Sequence, residues 1–228
     1  MKHAGKAQQA GLRLILLSLG ALLVLLAVGV LAKVIGSFVV GMASTLVMLW
    51  ILFTVFTLYF FRDPEPQAPS DRAAIVSPAH GTVDVVDETA EAEFMGGPCK
   101  RISIFLSVFN VHVQRAPVSG KIVFQKHTHG QFVSATRSDC GSFNENVLLG
   151  FAPVEFPDRK IGVRLVAGLI ARRIIVWAGA GETVPRSERI SLIQFGSRAD
   201  VYLPLRAKVH CQLGDKVKGG ETIIAAFE

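Results

Sequence analysis

Cysteine is scarce in this sequence, with Cys99, Cys140 and Cys211 far apart in 228 residues. The absence of any Cys-x-x-Cys pair excludes the common cysteine-based zinc motifs, and three distant cysteines do not make a disulfide framework. We therefore expect three structural thiols in a reducing compartment.

Charge is missing from two long stretches, residues 14–32 and residues 34–61, which are separated by Lys33. Each stretch is long enough to cross the hydrocarbon core of a bilayer. Together they predict a helical membrane hairpin. A cleaved signal peptide is the alternative, but its apolar core is only about 7–15 residues long, and here a second apolar run follows at once.

The flanking charges predict the orientation of this hairpin. Lys2, Lys6 and Arg13 precede the first apolar run, and Arg62 follows the second. The positive-inside rule then places both termini in the cytoplasm. We predict a tail and two-helix anchor over residues 1–61 and a cytoplasmic domain over residues 62–228.

The formal net charge of +6 does not indicate a nucleic-acid-binding protein. Nucleic-acid binding favours clustered basic residues with interleaved aromatics, whereas here the basic residues alternate with apolar ones. Attraction to an anionic lipid surface fits this pattern better, and an ordinary solvated surface is the alternative.

The domain after the anchor has the pattern of a mostly β protein. Pro64, Pro66 and Pro69 favour an extended linker, and from Ile75 onward short runs rich in β-branched residues alternate with glycine and proline turns. An antiparallel sandwich or barrel-like fold is predicted, with one short helix near residues 169–172. The predicted strands are 75–76, 82–86, 101–106, 111–113, 121–124, 147–149, 161–167, 174–177, 190–195, 199–203 and 208–212.

Two segments of this domain, residues 77–83 and 214–222, resemble the hairpins of lipoyl- and biotinyl-carrier folds. No lysine lies at the tip of a Met-Lys-Met hairpin, so neither group can be attached. The resemblance concerns the fold alone.

The dipeptide Gly196-Ser197 offers one candidate reaction. A serine hydroxyl can attack the carbonyl carbon of the preceding residue, and glycine there tolerates the strained backbone that the attack needs. The resulting ester can eliminate to dehydroalanine, which hydrolyses to a pyruvoyl group. Most Gly-Ser pairs are simple turns, so the dipeptide alone is weak evidence.

Histidine supplies candidate bases and ligands. His112 lies on a β-type run between Val111 and Val113, where it is either the general base that activates Ser197 or a structural histidine. His127 and His129 have the i, i+2 spacing of two metal ligands on a strand, but the sequence shows no third ligand in reach. We interpret them as a hairpin surface and predict no metal site and no separate cofactor-binding residues.

The segment around Ser197 reads Ile193-Gln194-Phe195-Gly196-Ser197-Arg198-Ala199-Asp200-Val201-Tyr202-Leu203-Pro204. It closely resembles the cleavage site of the short bacterial, membrane-anchored, pyruvoyl-dependent phosphatidylserine decarboxylase proenzymes. Residues 60–65, 77–83, 105–120, 166–174 and 214–222 resemble the same family in the same order.

The resemblance implies self-cleavage between Gly196 and Ser197 into a β chain, residues 1–196, and an α chain, residues 197–228. These would stay together as a heterodimer, with a higher oligomer left open. Ser197 would become the pyruvoyl group, which forms a Schiff base with phosphatidylserine and yields phosphatidylethanolamine. The implied location is the bacterial inner membrane, with the catalytic domain in the cytoplasm.

One residue departs from the family pattern. The turn after Ser77-Pro78-Ala79 carries His80, where the family has an aspartate that orients the histidine at position 112. Asp84 is a candidate substitute for that aspartate, because it would lie on the same face as His80 if a strand begins there. Asp87 would lie on the opposite face. Slow self-cleavage is expected. The alternatives are a non-catalytic membrane-anchored homologue and a decarboxylase for another amino-acid headgroup.

Overall fold

The computed structural model describes residues 5–31, 37–134, 141, 143–169, 173–194 and 196–228. The chain divides into two compact units, Gly5–Asp63 and Pro64–Glu228.

The first unit contains two helices, α1 (Lys6–Leu31) and α2 (Ser37–Phe60). Both are long and apolar enough to cross a membrane, over Lys6–Val30 and Val39–Phe60, and almost none of that length is buried within the protein. The indole nitrogen of Trp50 donates a hydrogen bond of 2.8 Å to Ser18 Oγ and joins the two helices. The prediction of two apolar helices is confirmed, while residues 32–36 between them lie outside the described part of the chain.

The second unit is built from β-strands, and the strand pairs among its described residues are antiparallel. The predicted mostly β, antiparallel fold is therefore confirmed. The strands are β1 (Ala74–Val76), β2 (Gly81–Glu91), β3 (Gly97–Leu106), β4 (Val113–Arg115), β5 (Gly120–Thr128), β6 (Asn146–Pro153), β7 (Ile161–Ala167), β8 (Ile174–Val176), β9 (Thr183–Val184), β10 (Arg189–Ile193), β11 (Ser197–Leu203), β12 (Lys208–Val209), β13 (Lys216–Val217) and β14 (Ile223–Ala226).

These strands form one large sheet, in the order β13-β2-β3-β11-β7-β6-β5-β9, and two smaller sheets, β1-β14-β12 and β4-β10-β8. Alternating residues of the large sheet enter the main hydrophobic core, among them Ile104, Leu165, Ala199 and Val201. We refer to that side as the inner face. The opposite side, which carries Arg198 and the residues that alternate with it, is the outer face.

One end of the large sheet gathers the ends of several strands. β3 ends at Leu106 and β7 ends at Ala167, and Ser197, the first residue of β11, pairs with both. β5 ends and β6 begins at the same edge, where Thr128 pairs with Asn146. We refer to this edge as the Ser197 end of the sheet.

The two carrier-like segments contact each other. The amide nitrogen of Gly214 donates to the Val83 carbonyl at 2.8 Å, and the Val83 amide nitrogen donates to the Asp215 carbonyl at 2.9 Å. β13 then pairs with the start of β2 through Lys216 and Thr82. The two similar sequence segments therefore build one structure together.

Several strand predictions are wrong in their bounds, and those at 174–177 and 190–195 end early, at Val176 and Ile193. The strand predicted at 111–113 begins at Val113, because the chain before it is still turning: Asn110 Oδ1 accepts a hydrogen bond of 2.9 Å from the Ser107 amide nitrogen. The strand predicted at 208–212 ends at Val209, and Asp215 Oδ2 accepts from the Gln212 amide nitrogen in the turn that follows. Of the predicted short helix, Leu169 lies in a turn and residues 170–172 lie outside the described residues.

Candidate active site

Ser197 is a buried hydroxyl at the first position of a central strand. Its side chain alternates with those of Arg198 and Asp200 and therefore lies on the inner face. The residue has no exposed surface, and its Oγ finds no hydrogen-bond partner among the described residues. Leaving a buried hydroxyl unpaired costs free energy, and such groups in native proteins call for a functional explanation.

Gly196 precedes Ser197 in a conformation that favours glycine. Its φ is +76°, and a Cβ built there would meet nothing within 4 Å. The need for glycine therefore comes from the backbone angle and not from crowding. Phe195, on the other side of Gly196, lies outside the described residues.

The Gly196 carbonyl group is held by a backbone donor. The amide nitrogen of Gly168, directly after β7, donates to the Gly196 carbonyl oxygen at 3.2 Å. A donor at this oxygen would stabilise the negative charge that develops when the carbonyl carbon is attacked. Sequence reasoning missed Gly168, because a backbone N–H has no residue-type signature.

His112 contacts the same residue from another side. The amide nitrogen of Gly196 donates to His112 Nε2 at 3.2 Å, and His112 Nδ1 lies 2.9 Å from the Asn110 carbonyl oxygen. A carbonyl oxygen can only accept, so Nδ1 carries the hydrogen and Nε2 carries the lone pair. The imidazole is therefore in the tautomer that can take a proton at Nε2.

The pairing of β4 with β10 explains how His112 reaches Gly196 across 84 residues. His112 immediately precedes β4, and β10 ends at Ile193, three residues before Gly196. The His112 carbonyl accepts hydrogen bonds from the Ile193 amide nitrogen at 3.3 Å and from Gln114 Nε2 at 2.7 Å. Ser191 on β10 donates in turn to Gln114 Oε1 at 2.7 Å.

A structured loop holds the residue that orients His112. Asn110 Oδ1 accepts from both the amide nitrogen and the hydroxyl of Ser107, at 2.9 and 2.8 Å. The Asn110 amide nitrogen also donates to the Ser107 carbonyl at 3.0 Å. This loop directly follows β3 and fixes the carbonyl to which His112 Nδ1 donates.

Asp84 is not on the side of the sheet that carries Ser197. Its two carboxylate oxygens accept from the two terminal nitrogens of Arg198, one at 2.9 Å. Arg198 is fully buried and belongs to the outer face, whereas Ser197 belongs to the inner face. This placement removes the geometric basis for Asp84 as the partner of His112.

A β-bulge explains why Asp84 and Asp87 lie on the same face of the sheet, although they were expected on opposite faces. The pairing of β2 with β3 shifts between Val83 and Val85, so one residue is inserted at Asp84. Asp87, expected on the opposite parity, lies on the outer face too, where Arg101 Nε donates to it at 2.9 Å.

His80 contacts the second carrier-like segment. Its Nδ1 accepts a hydrogen bond of 3.1 Å from the Gly219 amide nitrogen. The turn that leads to His80 runs beside β4, because the Arg115 amide nitrogen donates to the Pro78 carbonyl at 2.7 Å. The structure thus places His80 on a loop that neighbours the strand after His112.

The outer face carries a buried carboxyl group as well. Asp200 is 3% exposed and pairs across the strands with Ser103 and Arg164. Burial raises the pKa of Asp200 above its ordinary value, although the charges of Arg198 and Arg101 act in the opposite direction.

Three exposed apolar side chains lie in loops at the Ser197 end of the sheet. Phe109 follows β3, Leu169 follows β7, and Phe143 precedes β6. Their exposed fractions are 65%, 61% and 49%. Large apolar residues clustered at one edge of a protein are typical of an interaction surface.

The paired histidines and the cysteines lie apart from Ser197 in the sequence. His127 and His129 lie side by side with ring centroids 4.5 Å apart, and Glu145, which the sequence spacing did not indicate, lies beside them. Cys99 and Cys211 are free thiols, and burial raises the pKa of Cys211 to about 11. Cys140 lies outside the described residues.

Known proteins with similar sequences all belong to one family among those compared. The sequence model of the phosphatidylserine decarboxylase family matches residues 53–225. A phosphatidylserine decarboxylase proenzyme of Desulfotalea psychrophila is 45% identical over 179 residues, which cover 78% of this chain and 83% of the relative. Proenzymes of the same name from Pelobacter propionicus and Symbiobacterium thermophilum are 45% and 41% identical, over 77% and 75% of this chain and 79% and 78% of the relatives.

Proposed function

The chain belongs to the phosphatidylserine decarboxylase family, and on that premise we propose that it converts phosphatidylserine to phosphatidylethanolamine with a pyruvoyl group made from Ser197. One observation carries the assignment of the site. The buried hydroxyl of Ser197, which has no partner among the described residues, follows a carbonyl group that accepts a hydrogen bond from Gly168. His112 Nε2 lies 3.2 Å from the Gly196 amide nitrogen.

Self-cleavage begins with attack of Ser197 Oγ on the Gly196 carbonyl carbon. His112 Nε2 takes the hydroxyl proton, and the Gly168 N–H stabilises the negative charge on the Gly196 oxygen. The carbon–nitrogen bond then breaks, and the proton held by His112 passes to the amine of residue 197. The product is an ester between Gly196 and the Ser197 side chain.

The ester then separates into two chains. A base accepts the α-hydrogen of residue 197 as a proton, and the electron pair left behind forms a carbon–carbon double bond. The Gly196 carboxylate leaves and becomes the end of the β chain, residues 1–196. The dehydroalanine left at residue 197 takes up water and releases ammonia, giving the pyruvoyl group of the α chain, residues 197–228. Every step transfers a proton or expels a leaving group, and none needs an oxidant.

The residues around Ser197 fit this group. The site is the first position of β11, fixed between β3 and β7, and no charged side chain is required to hold a covalently attached group there. The pyruvoyl carbonyl supplies the electron sink for loss of carbon dioxide. The chain's own contribution is to bury this position where β3, β7 and β11 meet at the Ser197 end of the sheet.

Replacement of the expected aspartate by His80 does not dismantle this site. The Asn110 carbonyl already orients His112, which is one of the two tasks of the carboxylate in a catalytic triad. The second task, stabilisation of the imidazolium by a full negative charge, is not performed by a carbonyl. These observations support slow self-cleavage over the non-catalytic alternative.

A membrane location agrees with the substrate. The two apolar helices are suited to anchor the chain in the bacterial inner membrane, where the positive-inside rule favours a cytoplasmic catalytic domain. The exposed side chains of Phe109, Phe143 and Leu169 are suited to contact lipid at the edge where Ser197 lies. We propose the boundary between anchor and decarboxylase domain at residues 61 and 62, two residues before the division between the compact units at Asp63 and Pro64.

The proposal is tested with the purified full-length chain in detergent. We expect two fragments by mass spectrometry, with alanine at the start of the smaller one after treatment with ammonium and borohydride, and conversion of phosphatidylserine. Ser197→Ala should stay intact and inactive, whereas Ser70→Ala, at an exposed linker position, should behave like the parent. An intact, inactive parent chain would overturn the proposal. Cleavage together with activity on a different amino-acid headgroup would overturn only the assignment of phosphatidylserine as the substrate.

A further inference from the structure

A group of three metal-ligating side chains lies away from the catalytic residues. His127, His129 and Glu145 each offer one ligand atom, and these atoms lie within 4.8 Å of one another. His127 Nε2 and Glu145 Oε1 are 3.1 Å apart. It is the one group of at least three His, Cys, Asp or Glu side chains with this geometry in the described ranges.

The sheet brings the three side chains to one face. His127 pairs with Val147, so Glu145, two residues before Val147, and His129, two residues after His127, continue the same face of neighbouring strands. The Glu145 amide nitrogen donates to the Gln131 carbonyl at 3.0 Å, which ties together the two segments beyond the strand ends. The ligand atoms are thus positioned by backbone hydrogen bonds and not by flexible loops alone.

The chemistry of the donors selects the ion. Two imidazoles and one carboxylate suit zinc and neighbouring transition metals, whereas magnesium and calcium favour oxygen ligands. Ligand atoms around a tetrahedral zinc ion lie roughly 3.3 Å apart, as follows from usual Zn–N distances of about 2.0–2.1 Å. His127 and Glu145 already meet this spacing, and a side-chain rotation would bring in His129.

We propose that His127, His129 and Glu145 bind one divalent transition-metal ion such as Zn²⁺, with a fourth position open to water. The site would link β5 to β6 at the Ser197 end of the sheet. The Glu145 carbonyl accepts a hydrogen bond of 3.0 Å from Ala167, which pairs with Ser197. Two strand spacings, about 10 Å, separate Glu145 from Ser197, so the ion stabilises this edge and does not touch the reacting atoms.

Isothermal titration calorimetry tests the site directly. An untagged, full-length chain in detergent is stripped with a chelator and titrated with Zn²⁺, and we expect one ion per chain. His129→Ala and Glu145→Gln should each weaken binding by at least about tenfold, the lower end of what losses around a metal site cost. Co²⁺ should give the intense visible absorption of a tetrahedral site with the parent chain and lose it with His129→Ala.

His210→Ala is the matched control, because His210 is an exposed histidine directly after β12, outside the large sheet. It should bind Zn²⁺ as the parent does. Failure of the parent chain to bind, equal binding by His129→Ala, or equal weakening by His210→Ala would each overturn the proposal and leave a hydrogen-bonded surface pair only. The measurement is metal binding, so its result is independent of whether the chain decarboxylates a phospholipid.

Discussion

The amide nitrogen of Gly196 donates to Nε2 of His112 across 3.2 Å, although 84 residues separate them in the chain. The hydrogen bond exists in the uncut chain, before any substrate is bound. Folding itself therefore brings the proposed base to the residue that precedes the proposed cleavage site. Self-cleavage should consequently need no partner protein and proceed at a rate independent of protein concentration.

Replacement of His112 by glutamine should slow self-cleavage by about 10²–10⁴-fold, the usual contribution of a general base. Glutamine keeps a polar side chain but has no lone pair of suitable basicity. The rate is read from the loss of full-length chain in time-resolved gels. His210→Ala should cleave at the parent rate, and parent-like cleavage by His112→Gln would exclude His112 as the base.

Gly196→Ala should slow self-cleavage by roughly tenfold or more, because φ of +76° strains any residue with a Cβ by about 1–3 kcal/mol. The backbone would relax and move the carbonyl away from the Gly168 amide nitrogen. Gly181→Ala is the control, since Gly181 has φ of +95° and equally open surroundings. It should lower the unfolding temperature similarly and leave cleavage unchanged. Equal cleavage rates for the two variants would contradict this reasoning.

His80→Asp should accelerate self-cleavage by at least about tenfold, if a carboxylate there stabilises protonated His112 as in other acid–base sites. His80→Asn has the same shape as aspartate but no charge, and it should not accelerate the reaction. Both rates are measured by mass spectrometry of freshly purified protein. The same rate with aspartate and asparagine would show that charge at position 80 is not what limits cleavage.

Asp200→Asn should change the pH dependence of stability. The pKa of Asp200 is raised in the folded chain, so its contribution to the free energy of unfolding is present at low pH and lost as pH rises through the folded pKa. The variant should therefore become more stable relative to the parent as pH rises from the ordinary carboxyl range through the folded pKa of Asp200. The gain is read as a higher unfolding temperature of the variant than of the parent at high pH.

The Asp200 measurement is made by thermal unfolding in a Ser197→Ala background, so that a single uncut species is present. Asp158→Asn, which changes an exposed carboxyl group, is the control and should leave the pH profile unchanged. A profile of Asp200→Asn that runs parallel to that of the parent would contradict the assignment.

Leu169→Ser should weaken activity on phosphatidylserine vesicles by roughly tenfold, because burial of a leucine side chain in an apolar environment is worth about 1.5–3 kcal/mol. Val154→Ser is the control. Val154 is exposed to a similar extent, 63%, but follows β6 at the opposite end of the sheet. Activity of processed enzyme on a short-chain, soluble phosphatidylserine should be unchanged in both variants. Equal losses on vesicles would exclude lipid contact at Leu169.

The fold was largely predictable because its signals are local. The β-branched run at residues 161–167 coincides with β7, and the uncharged runs before Arg62 account for most of α1 and all of α2. The bulge at Asp84 was not predictable, since an inserted residue depends on pairing with β3, which lies beyond the local sequence. That single insertion reverses the expected relation between Asp84 and Asp87.

The sequence indicates the proposed reacting residues, but it does not indicate the backbone groups that support them. Gly196, Ser197 and His112 are residue types suited to the chemistry, and the structure brings His112 to Gly196. Gly168 and Asn110 act through backbone atoms, which every residue possesses. Glu145 joins His127 and His129 only through the register of β5 and β6.

The position of β11, which begins at Ser197, in the middle of the strand order has a consequence for the cut chain. β11 is hydrogen-bonded to β3 on one side and β7 on the other, and β14 lies between β1 and β12. The short fragment is thus interleaved with the long one in two sheets. Cleavage between residues 196 and 197 would create new termini while nearly every backbone pairing persists. The mature enzyme would resemble a naturally split protein, whose halves separate only when the whole domain unfolds.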